Sequence, residues 1–260
     1  MIPKIIHYCW FGRGELPELA VKCIESWKKF CPDYEIMVWN EENFDIDSNR
    51  YVKEAYEARK FAFVSDVARL TALYKHGGIY LDTDVMVLKS FDDYLHHKGF
   101  FGFESKKAVQ TGVIAFEEGS EIVGELLKGY DNRTFVTENN TFDLTTNVAV
   151  ITEAFEDKGL VLNGEYQEVC DVAFYPQNIF CPDLDRLTDN QYMKDAVTIH
   201  YFAGSWKSGA TLRRERSLWW KAFAFFATIA SKILTRILGD KWTNAKNKVR
   251  DNVIENEKNK

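Results

Sequence analysis

Residues 60–88 read KFAFVSDVARLTALYKHGGIYLDTDVMVL, and the rest of the chain is organised around this stretch. Apolar residues recur at steps of three and four from Phe63 to Tyr74, which predicts one face of a helix. Gly77 and Gly78 are expected to end that helix, because glycine adopts the left-handed conformation of a C-terminal cap at no steric cost. Ile79 to Leu88 is rich in β-forming residues, so we predict a strand there.

Two carboxylates, Asp82 and Asp84, interrupt the apolar run of this predicted strand. Alternate residues of a strand point the same way, so these two and Tyr80 are expected to share a side. Neighbouring buried carboxylates repel each other and resist desolvation, and a hard cation such as Mg²⁺ or Mn²⁺ would relieve both effects. Asp66 and Arg69 lie one helical turn apart, on the same helix surface. A surface ion pair followed by a polar turn is the alternative interpretation.

The order of these residues is far more specific than an Asp-x-Asp pair alone. The chain matches S-D-x-x-R followed by Y-x-x-G-G-x-Y-x-D-x-D at Ser65, Asp66, Arg69, Tyr74, Gly77, Gly78, Tyr80, Asp82 and Asp84. This motif resembles the signature of the family 32 glycosyltransferases, which include bacterial capsule and exopolysaccharide sugar transferases. It is also similar to the core of the clostridial glucosylating toxins. The resemblance covers about residues 2–206 and implies an α/β fold, a single GT-A type, Rossmann-like domain with a mainly parallel sheet.

The same resemblance implies roles for the motif residues. Asp66 and Arg69 would fix the donor sugar, and Asp82 would contact the ribose or the sugar. Trp10, at the end of a first predicted strand from Lys4 to Gly12, would stack on the nucleotide base; its alternative is a core aromatic. Tyr80 is a further candidate for substrate binding.

A second matching stretch lies near residue 200. His200, Ser205 and Trp206 fit an H-x-x-x-x-S-W pattern, in which the histidine resembles a third metal ligand beside Asp84 and Asp82. The resemblance makes the Ser–Trp pair donors to the β-phosphate, and both side chains carry a hydrogen-bond donor. A lone histidine at a strand end is also commonly structural. Asn147 is a candidate sugar contact, with a role at a helix N-terminus as the alternative.

The resemblance implies a metal-dependent enzyme that moves a sugar from a nucleotide-sugar, expected to be a UDP-sugar, to a glycan or lipid-linked glycan. The family retains anomeric configuration, and we can name no nucleophile. Three alternatives stay open: a toxin-like protein glycosyltransferase, a non-catalytic glycan-binding scaffold, and a phosphohydrolase of the haloacid dehalogenase type. The last expects Thr or Val where Met86 stands.

The net charge of −6 conceals an asymmetry along the chain. Residues 207–260 carry a net charge of +8, whereas residues 1–206 carry −14. We therefore predict a domain at 1–206 and a basic, aromatic-rich helical tail at 207–260. Basic residues between apolar ones at 208–240 favour an anionic membrane surface as partner; a helix packed on the sheet is the alternative. No nucleic-acid partner is expected.

The compartment is predicted from three further features. Five cysteines without a Cys-x-x-Cys pair favour a reducing environment. No apolar signal core follows Met1, and no run of 18 or more apolar residues occurs. We expect a cytoplasmic protein, peripheral on the inner face of a bacterial plasma membrane.

Asn163 and Gly164, between β-formers, predict a hairpin turn.

Overall fold

The structure, a computed structural model, describes residues 1–204. Strands and helices alternate at the start of the chain, and strands then dominate the middle. The strands are β1 (Ile5–Cys9), β2 (Glu35–Trp39), β3 (Gly78–Leu81), β4 (Val85–Val87), β5 (Gly99–Ser105), β6 (Ala108–Phe116), β7 (Gln167–Val169), β8 (Val172–Tyr175) and β9 (Thr198–His200). The helices are α1 (Glu18–Phe30), α2 (Arg50–Glu57), α3 (Phe61–His76), α4 (Glu121–Lys128), α5 (Asn147–Glu156) and α6 (Gln177–Phe180).

Within these residues, seven strands form the main sheet in the order β2-β1-β3-β6-β5-β8-β7. β1 runs parallel to β2 and β3, and β5 runs parallel to β8. β6 and β7 run against their neighbours, so five strands share one direction. The predicted α/β class with a mainly parallel sheet is confirmed.

Helices cover both faces of this sheet. Residues of β3 alternate between two apolar clusters: Ile79 and Leu81 join α1 in one cluster, whereas Tyr80 joins helices α2 to α5 in the other. The predicted helix of the motif is α3, which buries a broad face that includes Val64, Ala68 and Leu73. It ends at His76, directly before Gly77 and Gly78, both of which have positive φ. The sheet is thus a rigid layer that fixes where α3 and the following loop lie.

The prediction of one strand from Ile79 to Leu88 is wrong. β3 ends at Leu81, the chain turns, and β4 belongs to a separate two-stranded sheet with β9. The N–H of Val85 donates to the carbonyl of Asp82 at 3.0 Å, which closes the turn. Polar residues at 82–84 therefore end one strand instead of lying within it, and the argument from strand alternation does not apply to Asp84.

The predicted hairpin at Asn163 and Gly164 is also misplaced. β7 pairs antiparallel with β8, and the two residues between them, Cys170 and Asp171, have φ values of 52° and 63°. Two successive positive φ values are typical of a tight hairpin turn, which asparagine and glycine usually supply. The sequence signal therefore lay a few residues before the actual turn.

Ser205, Trp206 and the tail at 207–260 lie outside the described residues, so the predictions made for them stay predictions. In the part of the chain that is described, no helix is both long enough and apolar enough to span a membrane.

Candidate active site

The first component of the site is a buried ion pair on α3. Asp66 is 8% exposed and Arg69 is 5% exposed, and Nη2 of Arg69 lies 3.1 Å from Oδ1 of Asp66. The same nitrogen lies 3.4 Å from Oδ1 of Asp82. The guanidinium also donates through Nη1 to the carbonyl of Thr111 at 2.8 Å. Arg69 therefore links the helix, the loop after β3 and strand β6.

Tyr80 contacts both Arg69 and Asp82 in this network. The ring of Tyr80 lies under the guanidinium of Arg69, with 4.5 Å between Cζ and the ring centroid. The hydroxyl of Tyr80 donates to Oδ1 of Asp82 at 2.8 Å. Tyr80 is only 2% exposed, so the structure places this predicted substrate-binding residue beneath Arg69 and Asp82. Its visible contacts orient the Asp82 carboxylate.

Burial and neighbouring charges shift the pKa values of Asp66 and Arg69. Burial raises the pKa of Asp66 to about 6, although the charge of Arg69 acts in the opposite direction. Burial would lower the pKa of Arg69, but the carboxylate of Asp82 leads the groups that hold it above its ordinary value. Asp66 is thus a carboxyl group that can both accept and, when protonated, donate hydrogen bonds near neutral pH.

The second component brings together three possible metal ligands. Asp82, Asp84 and His200 each offer one atom, and these atoms all lie within 4.8 Å of one another. Nε2 of His200 lies 3.2 Å from Oδ1 of Asp84 and 4.0 Å from Oδ2 of Asp82. The pairing of β4 with β9 places His200 opposite Val85, next to the turn that carries both aspartates. The sequence prediction of these three ligands is consistent with this geometry.

The backbone holds Asp84 and Asp82 in place. The N–H of Ala203 donates to Oδ2 of Asp84 at 2.6 Å, and the N–H of Tyr201 donates to its carbonyl at 3.0 Å. The N–H of Asp82 donates to the carbonyl of Gly112 at 2.9 Å. One carboxylate oxygen of Asp84 is thus fixed by the segment after β9, and the other faces His200.

Asp84 and His200 stabilise each other's charged forms. Burial alone would raise the pKa of Asp84 and lower that of His200, but their mutual attraction reverses both effects. The pKa of His200 is therefore well above its ordinary value and that of Asp84 is below it. A metal ligand must be a neutral imidazole, so a cation bound here would take the place of the proton on Nε2.

The donor set fits a divalent cation. Two carboxylates and one imidazole are acceptable to Mn²⁺, and carboxylates suit Mg²⁺. Three protein ligands would leave coordination positions for the oxygens of a substrate. Asp82 and Asp84 also lie close together and are both partly buried, so a bound cation would offset the repulsion between their carboxylates. This arrangement is what the predicted Mn²⁺ or Mg²⁺ site requires.

A cleft opens along the same edge of the sheet. It has a volume of about 290 Å³ and is lined by Trp10, Arg13, Gly14, Asn40, Glu41 and Glu42. Trp10 follows β1 and Asn40 follows β2, and both strands run parallel to β3. Their carboxyl ends therefore lie at the sheet edge where Asp82 begins its turn, the usual place for a ligand in open α/β sheets. The indole N–H of Trp10 donates to the carbonyl of Gly14 at 2.6 Å.

Asn147 lies at the N-terminus of α5, the position that the alternative interpretation gave it. It begins α5 and is 1% exposed. Its Nδ2 donates to the carbonyl of Asp66 at 3.0 Å, and its Oδ1 accepts from the hydroxyl of Tyr130 at 2.7 Å. The cap of this helix is Thr146, whose hydroxyl accepts from the N–H of Ala149. Asn147 thus fixes α5 against the ion pair of α3, and a sugar contact stays a prediction.

Sequence reasoning missed two residues that shape the site. Ala203 acts through its backbone N–H, which any residue type could supply. Arg133 holds the loop before α5, because its Nε lies 2.7 Å from Oδ2 of Asp143 and its Nη2 donates to the carbonyl of Thr145. Only the charge of Arg133 was visible in the sequence, and nothing indicated its partner.

Comparison with known proteins agrees with this site. Residues 17–101, which include Asp66, Arg69, Asp82 and Asp84, match the family described as glycosyltransferase sugar-binding region containing DXD motif. The chain is similar to this region over residues 17–101 only. Its DXD residues are Asp82, Thr83 and Asp84, at the point where β3 ends.

Similar proteins are found in distant organisms. The chain is 30% identical over 138 residues to inositol phosphoceramide mannosyltransferase 3 of Schizosaccharomyces pombe, over 52% of this chain and 38% of the relative. It is 24% identical over 187 residues to subversion of eukaryotic traffic protein A of Legionella pneumophila, over 58% of this chain and 28% of the relative. The chain thus spans well under half the length of both relatives.

The chain is also similar to a solved structure, a glycosyltransferase involved in the glycosylation of the major capsid of PBCV-1. The TM-score is 0.47 at 14% identity, over 82% of this chain and 98% of that chain.

Proposed function

We propose that this chain is a metal-dependent, retaining glycosyltransferase that moves a sugar from a UDP-sugar to a glycan or lipid-linked glycan. The convergence of Asp82, Asp84 and His200 beside the Asp66–Arg69 pair carries the proposal. A cation site next to buried groups that can bind hydroxyls suits a sugar joined to a diphosphate. The matched DXD sugar-binding region supports the same reaction class.

The metal site would face the diphosphate. Asp84, His200 and Asp82 would hold Mn²⁺ or Mg²⁺, and a bound cation neutralises the negative charge that a leaving diphosphate gains. The hydrogen bond from Ala203 keeps Asp84 oriented for this task. Preorganised groups of this kind lower the barrier because they need no rearrangement during the reaction.

The ion pair on α3 would hold the sugar. Nε, Nη1 and Nη2 of Arg69 already contact Ser65, Thr111 and the two carboxylates, so the arginine mainly fixes Asp66 and Asp82. These carboxyl groups can then accept hydrogen bonds from sugar hydroxyls. Asp66, with a pKa raised to about 6 by burial, can also donate one when protonated. Trp10 would stack on the base in the cleft after β1.

The acceptor is proposed from a relative. The S. pombe relative is named for a phosphoceramide, which is a lipid that carries a polar head group. We therefore place a lipid-linked glycan first among acceptors. The Legionella relative is named for the subversion of eukaryotic traffic, and a protein acceptor is the alternative that the assays would reveal.

Calorimetric titration of UDP tests the donor site without any need for the acceptor. UDP should bind the wild-type protein in Mn²⁺ and not in chelator. Asp84→Ala should abolish the metal-dependent part, because it removes a ligand from the site. Asp93→Ala, which removes an exposed carboxylate from a short turn, is the matched control and should bind as wild type does.

The outcomes separate the parts of the proposal. No binding of UDP in Mn²⁺ would remove the UDP assignment, and GDP would be titrated next. Failure of both nucleotides would favour a non-catalytic scaffold. If UDP binds, hydrolysis of a panel of UDP-sugars identifies the donor. Proton NMR of the first product then gives its anomeric configuration, and inversion would contradict the retaining mechanism.

A further inference from the structure

The third metal ligand, His200, is enclosed tightly by its neighbours. Its side chain is buried, and its ring stacks on that of Phe202 with 4.1 Å between centroids and 23° between planes. The buried thiol of Cys181 lies beside it: burial raises the pKa of that thiol, and its contact with His200 lowers it in part. Nδ1 of His200 nevertheless has no hydrogen-bond partner among the described residues. Asp84 holds the ring at Nε2, and packing confines the ring on its other sides.

Gly112 of β6 lies against another side of the His200 ring. A Cβ atom built at Gly112 would lie 2.8 Å from Cε1 and 2.9 Å from Nδ1 of His200, and 3.3 Å from Oδ2 of Asp82. Contacts under 3.0 Å to ring atoms require the ring to move. The φ of Gly112 is not in the left-handed region, so conformation alone does not demand glycine there. The position needs glycine for space.

The same residue also touches the other side of the metal site. Its carbonyl accepts the N–H of Asp82 at 2.9 Å. Gly112 thus fixes the backbone of one ligand and leaves room for the ring of another. A side chain here would push His200 away from the strand while Asp82 stays hydrogen-bonded to it.

We propose that Gly112 is a positioning residue for the metal site: its missing side chain lets the His200 ring lie where Nε2 reaches both aspartates. This inference rests on the metal dependence of the proposed function. The Phe202 ring, stacked on one face of the imidazole, limits how the ring could retreat from a Cβ at residue 112. Small displacements of a ligand are costly, since changes to groups that orient ligands typically weaken metal binding roughly 10–100-fold.

The test measures Mn²⁺ affinity directly, by calorimetry without any nucleotide or sugar. Gly112→Ala should bind Mn²⁺ roughly 10-fold or more weakly than wild type. In a His200→Ala background, which removes the ring that the new methyl group meets, Gly112→Ala should have no further effect. Gly129→Ala is the matched control, because Gly129 caps α4 with a helical φ of −58° and has no contact with the site. It should bind Mn²⁺ as wild type does.

Each result bears on the inference. Unchanged Mn²⁺ affinity in Gly112→Ala would overturn it, as would an equal loss with and without the His200 ring. If the wild type binds no Mn²⁺ at all, both the metal dependence and this inference fail; if only the Gly112→Ala result is wrong, the proposed function stands. Should Gly112→Ala alone not fold, the double variant decides: recovery of folding with His200→Ala supports the steric conflict, and no recovery refutes it.

Discussion

Arg69 is the residue whose removal we expect to be most informative about stability. Its guanidinium lies among Asp66, Asp82 and the carbonyl of Thr111, with a side-chain exposure of 6%. Arg69→Met keeps much of the apolar stem but leaves the buried carboxyl group of Asp66 and the half-buried one of Asp82 without their partner. Breaking a buried pair by removing one member costs about 3–5 kcal/mol. We therefore expect the free energy of unfolding to fall by about 4 kcal/mol at pH 7.5.

The chain contains a matched control for this variant. Arg186 and Asp189 have the same i,i+3 spacing and a shorter separation of 2.7 Å, but their side chains are 51% and 41% exposed. Surface pairs contribute about 0–1 kcal/mol, so Arg186→Met should change stability very little. If distance decided the energy, the exposed pair would matter more; if burial decides it, the Arg69 variant will be much less stable.

The assay is urea unfolding followed by tryptophan fluorescence, at pH 5 and pH 7.5. Burial raises the pKa of Asp66 to about 6 in the presence of Arg69, and losing the arginine raises it further. At pH 5 Asp66 is protonated in the folded protein with or without Arg69, so removing the arginine costs little stability through Asp66. At pH 7.5 Asp66 must ionise without its partner or keep its proton above its ordinary pKa, so the cost in stability is large. The deficit of Arg69→Met should therefore grow with pH. Equal losses of stability for Arg69→Met and Arg186→Met, or a deficit that shrinks with rising pH, would show that burial does not set the strength of the Asp66–Arg69 pair.

Three further predictions concern the base, the pH profile and a close backbone contact. Trp10→Ala should weaken UDP binding by roughly 5–150-fold, the worth of about 1–3 kcal/mol of stacking, and leave pyrophosphate binding unchanged in the same calorimeter. Burial lowers the pKa of His7 to about 4, so as the pH falls the unfolded chain takes up a proton on His7 before the folded protein does. The free energy of unfolding should therefore fall by about 3 kcal/mol from pH 6.5 to pH 4. Urea unfolding at a series of pH values should show a smaller fall for His7→Gln. Gly78→Ala should lower the melting temperature far more than Gly159→Ala, since both have φ near 100° but only at Gly78 would a Cβ lie 2.6 Å from the carbonyl of Ile5. Similar melting temperatures for the two variants would show that φ strain, and not the contact, dominates.

The helix α3 shows what local sequence can predict. Its apolar period, the spacing of Asp66 and Arg69, and the two glycines that end it are all short-range features, and the structure reproduces each of them. The following strand shows where the same reasoning fails. β-propensity favoured one strand, but the pairing partners of β3 and β4 belong to different sheets. Pairing with distant strands decided where β3 ended.

The α/β class and the spacing of Asp66 and Arg69 on one helix surface follow from periodicity along the sequence. The three candidate metal ligands, Asp82, Asp84 and His200, were predicted from the resemblance of two separate stretches to a known family. Tertiary structure alone decided how the ligands meet. His200 reaches Asp84 only because β9 pairs with β4, and its ring fits only because Gly112 has no side chain. Asn147 became a buried tie to Asp66 through the packing of α5. The physical reason is that sequence patterns report on neighbours along the chain, whereas a site at a sheet edge is set by steric and backbone contacts between distant segments.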